Sequence, residues 1–259
     1  MRRLLAAALV LAVSPLASAQ DAKAVTVRWF GQSFFQIQTS TGKKVVLDPH
    51  AIPEFGRPVV QADIITCSHW HSDHAQPEAV ENAKAARIFY GLLEAKKGRQ
   101  PDWAKIDEKV GQIHVKTFPL YHDADTGMTR GKNSAFIIEA DGLRICHLGD
   151  IGHELTKEQV KAIGPVDILM VPVGGVYTVN GEQARNITKA INPRLYAIPM
   201  HYGVPGYDDL LPADEFLEGQ KNVKKMPATN ELVVPADMKA DGYTVVLLGW
   251  KKDEVAPKK

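Results

Sequence analysis

The chain has 259 residues, with 31 basic and 30 acidic side chains, 45% hydrophobic residues and a formal net charge of +1 at pH 7. A chain of this length can bury a large core, and its near-neutral charge provides no global attraction to nucleic acid or to an anionic membrane. Its two cysteines are too few for a small secreted domain held together by disulfides.

The first 19 residues have the pattern of a secretory signal peptide. A basic segment at residues 1–3 precedes an apolar run at 4–13, and residues 17–19 are the small residues of a cleavage site. The apolar run is too short to span a bilayer, so we expect cleavage after Ala19 and no stable membrane anchor afterwards. We expect the remaining residues, 20–259, to form a single domain that is periplasmic or secreted.

The first half of the chain predicts strands interrupted by turns. A tight turn at Gly31-Gln32 joins the first two strands into a hairpin, and an apolar, β-branched run predicts a later buried strand. These strands are expected at residues 25–30, 33–38, 44–47, 62–67 and 87–90. The composition of Ala75–Ala86, which is rich in Ala, Glu and Lys, predicts a helix, and a shorter helix is expected at Gly91–Lys97.

The second half alternates strands with helices, which predicts sheets covered by helices. The Ala140-Asp141-Gly142 sequence is a hairpin signal between two of the strands. Strands are expected at residues 110–120, 134–139, 143–147, 166–171, 195–200 and 243–248, and the first of these segments fits either one strand or two. Helices are expected at residues 155–163, 182–191 and near 213–222.

Seven potential metal ligands follow the ends of predicted strands. Four of them lie on one short loop, and the other three follow later strands, where α/β folds gather their sites. Imidazole and carboxylate groups suit zinc, manganese or iron, and seven donors suit two metals that share a carboxylate. The seven residues are His69, His71, Asp73, His74, His122, Asp150 and His201.

Several residues have two interpretations from sequence alone. His114 is the alternative to His122 as a ligand, but its alternation with apolar neighbours favours a packed or half-exposed histidine. Asp48 is either a turn residue or an acceptor for a ligand histidine. Two buried free thiols are favoured for Cys67 and Cys146, with a disulfide as the alternative in an oxidising compartment.

The motif His-x-His-x-Asp-His at residues 69–74, together with the three later ligands, resembles the metallo-β-lactamase-fold hydrolase superfamily. The resemblance covers the whole predicted mature chain and implies an α/β fold, a four-layer αββα sandwich of two mixed β-sheets with helices on the outer faces. Segments 172–178, 182–190 and 198–202 are similar to the ascorbate-6-phosphate lactonase-like branch of that superfamily.

The same resemblance implies a division of labour among the ligands. One metal would be held by three histidines, the second by an aspartate and two histidines, and an aspartate would bridge the two. These sets are His69, His71 and His122 for the first metal, Asp73, His74 and His201 for the second, and Asp150 for the bridge. Zinc is the first expectation, with manganese or iron as alternatives.

We therefore expect an exported hydrolase that uses a hydroxide between two divalent metals to cleave an ester, lactone or phosphodiester bond of a small molecule. Asp73 and Asp150 are the expected catalytic carboxylates. Tyr177 and Tyr202 are candidate substrate contacts, with simple packing as the alternative. The rival functions are a β-lactam hydrolase and a non-catalytic metal-binding protein of the cell envelope. The sequence lacks a basic run of the kind that predicts a nucleic-acid partner. It leaves the oligomeric state open.

Overall fold

The computed structural model describes residues 23–97 and 99–250. The predicted signal peptide at residues 1–19 lies outside the described residues. Among the described residues, none of the helices has the length and apolar character needed to cross a membrane. These residues form two mixed β-sheets that pack face to face around one large apolar cluster, which confirms the predicted fold class.

The described residues contain fourteen strands and three α-helices. The strands are β1 (Ala24–Trp29), β2 (Phe35–Gln38), β3 (Lys44–Leu47), β4 (Ile64–Cys67), β5 (Arg87–Tyr90), β6 (Asp107–Val110), β7 (Ile113–Tyr121), β8 (Lys132–Ala140), β9 (Leu143–His147), β10 (Ile168–Pro172), β11 (Tyr196–Met200), β12 (Val223–Met226), β13 (Glu231–Pro235) and β14 (Thr244–Leu248). The helices are α1 (Lys157–Ile163), α2 (Gly181–Ile191) and α3 (Asp214–Leu217).

The first sheet has the strand order β13-β1-β2-β3-β4-β5, and the second has the order β12-β14-β11-β10-β9-β8-β7-β6. In the first sheet, the hairpin β1–β2 and its neighbours are antiparallel, whereas β3, β4 and β5 run parallel. In the second sheet, β6 to β9 form an antiparallel meander, and β9, β10, β11, β14 and β12 run parallel.

Alternation along β3 shows how the first sheet is buried on both faces. Val45 and Leu47 join the core between the sheets, while Val46 faces the other way and packs in a smaller cluster with Ile65 and Val80. Successive strand residues point to opposite faces, so a run that is apolar throughout marks a sheet covered on both sides.

The predicted helix over Ala75–Ala86 is wrong. The segment forms two single 3₁₀ turns, at Pro77–Ala79 and Ala83–Ala85, and covers the outer face of the first sheet without an α-helix. Asn82 accepts a hydrogen bond from the backbone N–H of Ala62 and donates one to its carbonyl, both at 2.9 Å. These tertiary bonds outweigh the helix propensity of the segment, which is a weak local preference.

The predicted helix at Gly91–Lys97 is also wrong. Leu92 forms an isolated bridge with Trp103, and the backbone N–H of Leu93 donates to Asp102 O, so the chain here is extended rather than helical. The helix predicted near residues 213–222 is shortened to α3. Strands β12 and β13 were not predicted; β13 pairs with β1, a partner some two hundred residues away that local sequence patterns cannot reveal.

Strand ends from both sheets meet at one place. β4 of the first sheet and β7, β9 and β11 of the second sheet each lead directly into a loop that carries candidate ligands. The loops meet because the parallel strands deliver their carboxyl ends to the same edge of the sandwich. The backbone N–H of His201 donates to Gln32 O in the β1–β2 turn, which fixes the two sheets to each other beside these loops.

Candidate metal centre

The structure brings all seven predicted ligands together around the carboxylate of Asp150. Its Oδ2 lies 3.0 Å from Nε2 of His74 and 3.1 Å from Nε2 of His201. The same oxygen lies 3.4 Å from Nε2 of His122 and 3.9 Å from Nε2 of His69. Four imidazoles from both sheets therefore point the same type of nitrogen at one carboxylate oxygen.

The ligands fall into two groups within which the candidate ligand atoms lie less than 4.8 Å apart. One group has three histidines and the other has two histidines with two aspartates. The groups are His69, His71 and His122, and Asp73, His74, Asp150 and His201. This grouping agrees with the division implied by the resemblance, although metal binding by each residue stays a prediction. His114 lies outside both groups and pairs instead with Asp107 and Glu139.

Asp48 and Ser68 orient two of the histidines. The buried carboxylate of Asp48 accepts hydrogen bonds from Ser68 N at 2.7 Å, from Ser68 Oγ at 2.6 Å and from His74 Nδ1 at 2.9 Å. Since Ser68 Oγ donates to Asp48, it accepts from His69 Nδ1 at 2.9 Å. Both imidazoles therefore carry a proton on Nδ1 and turn Nε2 toward the centre.

A glycine turn and a buried amide position Asp150. Gly149 has φ +55°, and a Cβ there would lie 2.3 Å from Asn133 Oδ1, so only glycine fits this turn. Asn133 is fully buried in β8; its Oδ1 accepts from Asp150 N at 3.1 Å and its Nδ2 donates to Leu148 O. The backbone on both sides of the turn is thus held by one side chain.

Gln32 contacts the candidate metal centre and was not predicted from the sequence. Its Nε2 donates to Asp73 Oδ2 at 3.1 Å, and its carbonyl accepts from Trp29 Nε1 and from His201 N. The sequence predicts only that it is a turn residue of the first hairpin. The signal that could have identified it is only visible in the fold: a buried residue with φ +49° that contacts both sheets.

The charges of the cluster shift the pKa values of its members. Burial would raise the pKa of Asp150, but the Coulombic interactions with His201 and His74 outweigh it and hold that pKa well below its usual value. Burial would lower the pKa of His74, but the carboxylates of Asp150 and Asp73 raise it well above normal. A proton on His74 thus partly balances the buried carboxylates. Burial lowers the pKa of His69 far below normal, so that imidazole is a neutral donor.

The residues present fit a divalent metal. His74 Nε2 lies 3.0 Å from Asp150 Oδ2 and 3.2 Å from Asp73 Oδ2 without the geometry of a hydrogen bond, and Asp150 Oδ1 has no hydrogen-bond partner among the described residues. Buried polar atoms without such partners are costly. A cation between the imidazole nitrogens and carboxylate oxygens would satisfy these atoms. A mixed nitrogen and oxygen donor set of this kind suits zinc, manganese or iron.

A pocket of about 520 Å³ opens onto the cluster, and its walls include His71, Asp73 and Tyr177. Tyr177, a predicted substrate contact, is 48% exposed at this wall. Tyr202 is placed differently: it is buried, stacks on Trp29 at 5.2 Å between ring centroids, and is absent from the described walls of the pocket. This position fits the packing role that the sequence left open for Tyr202.

The two cysteines are free and buried. Cys67 packs in the cluster on the outer face of the first sheet, whereas Cys146 lies in the core shared with the second sheet. The interpretation as two packed thiols is therefore confirmed, and neither sulfur belongs to a group that could hold a metal.

Two mixed sheets with histidine and aspartate candidate ligands at their shared edge define the class of protein, that of the metallo-β-lactamase fold. A family described as the beta-lactamase superfamily domain matches residues 26–201, a range that contains all seven candidate ligands. The chain belongs to this family.

Relatives of this chain carry descriptions as metal-dependent hydrolases. A UPF0173 metal-dependent hydrolase of Thermoplasma acidophilum is 30% identical over 199 residues, which are 72% of this chain and 85% of the relative. One from Thermococcus onnurineus is 29% identical over 196 residues, covering 69% of this chain and 84% of that protein.

Solved structures show the same fold. A Thermotoga maritima protein, assigned as a Zn-dependent hydrolase of the metallo-β-lactamase superfamily, is 29% identical and superposes with a TM-score of 0.63 over 88% of this chain and 100% of its own. A Parabacteroides distasonis structure, at 20% identity and a TM-score of 0.60 over 88% of this chain and 94% of its own, supports the fold alone. The ascorbate-6-phosphate lactonase-like branch stays a prediction.

Proposed function

We propose that this protein is a metal-dependent hydrolase of small molecules that works with two divalent metal ions, with zinc as the first expectation. The observation that carries the proposal is the convergence of four histidine Nε2 atoms on Asp150 Oδ2, at 3.0 to 3.9 Å, beside an open pocket. Two cations held there would supply a hydroxide nucleophile at neutral pH and withdraw charge from the bond to be cleaved, which suits an ester, lactone or phosphodiester.

The two aspartates have different surroundings, and we assign them different roles. Asp150 is 2% exposed and stands between the two ligand groups, so its role is to hold them at a fixed separation. Asp73 borders the pocket, with its side chain 34% exposed, and Gln32 fixes its Oδ2. Asp73 is therefore the carboxylate that can accept a proton from a water molecule in the pocket.

Metal analysis and a substrate screen on one purified sample test this proposal. We expect about two metal ions per chain and turnover of at least one ester, lactone or phosphodiester, with a chromogenic β-lactam included to test the rival substrate. Asp150→Ala should lose metal and activity, while the control Asp63→Ala should keep both. The carboxylate of Asp63 binds Lys43 Nζ and Lys44 N away from the cluster. An Asp150→Ala variant with both metals and full turnover would overturn the site assignment.

We also propose export to the periplasm or the medium. The support is the sequence pattern of residues 1–19, with its basic start, apolar run and small residues at the expected cleavage point. Fractionation of cells expressing the chain with and without residues 1–19 tests the proposal. Mass spectrometry of the exported protein should find a new amino terminus at Gln20, and equal retention of both forms in the cytosol would contradict export.

A further inference from the structure

We propose that Arg130 binds an anionic oxygen group of the substrate, a carboxylate or a phosphate, in the pocket beside the metal centre. The proposal rests on the hydrolase function above and narrows its substrates to small anionic molecules. Among the described residues that line this pocket, Arg130 is the only lysine or arginine. It therefore supplies the permanent positive charge that the described part of the chain places on the pocket wall.

The loop that carries Arg130 is held rigidly next to a candidate ligand. Asp123 follows His122 directly, and its carboxylate accepts hydrogen bonds from four backbone N–H groups of the same loop. One of these donors is Arg130 N, at 2.6 Å from Asp123 Oδ2. The backbone of Arg130 is thereby fixed relative to His122, as a specificity residue requires.

The guanidinium group keeps donors free for a ligand. Its Nη2 donates to Val176 O at 3.0 Å, and its carbon lies 5.6 Å from the centre of the Tyr177 ring. Within residues 23–97 and 99–250, no carboxylate forms an ion pair with Arg130. Arginine has five N–H donors in a planar fork that matches carboxylate and phosphate oxygens, so one contact to a carbonyl leaves the fork available.

A strained turn holds the partner of Arg130 in place. Val176 has φ +55°, and Tyr177 N donates to Gly175 O across it, which is the geometry of a rare γ-turn. A β-branched residue in this region is strained, and such strain persists where the surroundings impose it. The turn directs Val176 O and the Tyr177 ring at the guanidinium and keeps that group at the pocket wall.

Variants separate anion binding from a purely structural role. Arg130→Gln removes the charge but retains an amide N–H for Val176 O, while Arg130→Lys retains the charge without the fork. Lys132→Gln is the matched control, because it removes the same charge two residues away. Lys132 pairs with Asp102 at 2.7 Å, lies over the Trp103 ring and is absent from the described pocket walls.

The experiment measures binding and turnover on the metal-loaded protein. Calorimetry with benzoate, phenyl phosphate and neutral benzamide gives affinities, and nitrophenyl hemisuccinate with its neutral methyl ester gives a pair of kcat/KM values. We expect Arg130→Gln to weaken binding of one anion about 10- to 100-fold and to reduce the preference for the charged ester by a similar factor. Arg130→Lys should recover part of the loss, and Lys132→Gln should behave as the wild type. The anion that loses more affinity identifies the carboxylate or the phosphate.

The outcomes separate this proposal from the hydrolase function on which it rests. Equal anion affinity in the wild type and Arg130→Gln, with an unchanged ester preference, overturns the anion site even if the esters are hydrolysed. Anion binding that depends on Arg130 supports the site even if neither ester is cleaved, and the hydrolase function is then decided by the separate screen of esters, lactones and phosphodiesters. An equal loss of anion affinity in Lys132→Gln also overturns the proposal, because long-range electrostatic attraction would then explain the effect without a contact from Arg130.

Discussion

Asp48 acts on the candidate metal centre through the far sides of two histidines. Its carboxylate accepts a hydrogen bond from Nδ1 of His74 and orients His69 through Ser68 Oγ. Carboxylates in this position fix the tautomer of a ligand histidine and increase its basicity. The interpretation of Asp48 as an acceptor, one of two left open by the sequence, therefore matches its contacts.

Replacing Asp48 with Asn should weaken metal binding without removing a ligand. An amide of the same shape lacks the charge and turns one donor toward Ser68 or His74, so metal affinity should fall about 10- to 100-fold. Competition with a chromophoric chelator measures this affinity. Asp63→Asn, which alters a carboxylate bound to Lys43 and Lys44 N, should leave it unchanged. Wild-type affinity in Asp48→Asn would show that Asp48 does not tune the ligands.

His50 is a buried histidine whose hydrogen bonds fit only its neutral form. Ile52 N donates to Nδ1 and Nε2 donates to Gly31 O, each at 3.2 Å, between the rings of Phe34 and Phe55. Burial lowers the pKa of His50 to about 4. A proton on Nδ1 would face the Ile52 N–H, so the folded state resists protonation while the unfolded chain accepts a proton near pH 6.5.

The free energy of unfolding should therefore fall as the pH drops from about 6.5 to about 4. The unfolded chain binds the proton first in this range, and the difference in pKa corresponds to a loss of roughly 3 kcal/mol from His50 alone. Urea unfolding at pH 7 and pH 4.5 measures the loss. His50→Gln, which can still donate to Gly31 O, should show a smaller drop between these two pH values. An equal drop in both proteins would exclude His50 as the cause.

The candidate ligands could be predicted from the sequence, whereas most of the residues that hold them in place could not. Histidines and aspartates at strand ends are visible as a pattern, because strand ends are where such sites form. The contacts of Gln32, Asn133 and Arg130 depend on how the two sheets and three loops approach one another. A glutamine in a turn or an asparagine in a strand has no local feature that distinguishes these roles.

At the scale of elements, strands were predicted better than helices. The strand segments alternate or run apolar, and β3 has the predicted bounds because its burial follows directly from that pattern. The helix prediction for the 75–86 segment was wrong because its composition favours a helix, whereas Pro77 and the hydrogen bonds between Asn82 and Ala62 impose turns. Tertiary hydrogen bonds thus decided the local conformation.

Asn82→Ala tests which conformation the 75–86 segment holds. In the turn structure it leaves the N–H and C=O of Ala62 without partners, so the free energy of unfolding should fall by about 2 kcal/mol. In a helix the same change would raise stability slightly, because alanine is the better helix former. Urea unfolding shows whether the free energy of unfolding falls or rises in this variant. Lys84→Ala, at an exposed position, should change little and serves as the control.

At the scale of the whole molecule, each sheet carries one buried thiol. Cys67 ends β4 in the first sheet, and Cys146 lies in β9 of the second. Burial raises the pKa of Cys146 to about 12 and that of Cys67 well above normal, so neither forms a reactive thiolate in the folded protein at neutral pH. The two sulfurs can therefore report separately on the opening of their sheets.

We expect both thiols to resist alkylation in the native protein and to become reactive at the same urea concentration. The large cluster of buried residues draws on both sheets, so separating them would expose the core of each. Pulsed alkylation followed by peptide mass spectrometry measures the two midpoints. Cys67→Ser and Cys146→Ser variants identify each signal. Two well-separated midpoints would show that the sheets unfold independently.

The placement of the ligands across both sheets has a consequence for how the protein matures. Four ligands follow β4 in the first sheet, and the other three follow β7, β9 and β11 in the second. A growing chain released as far as β5 has four of the seven candidate ligands, and the first sheet gains its edge strand β13 near the end of synthesis. If the chain binds metals as proposed, the complete site therefore forms only when both sheets are in place, and metal binding follows assembly of the sandwich.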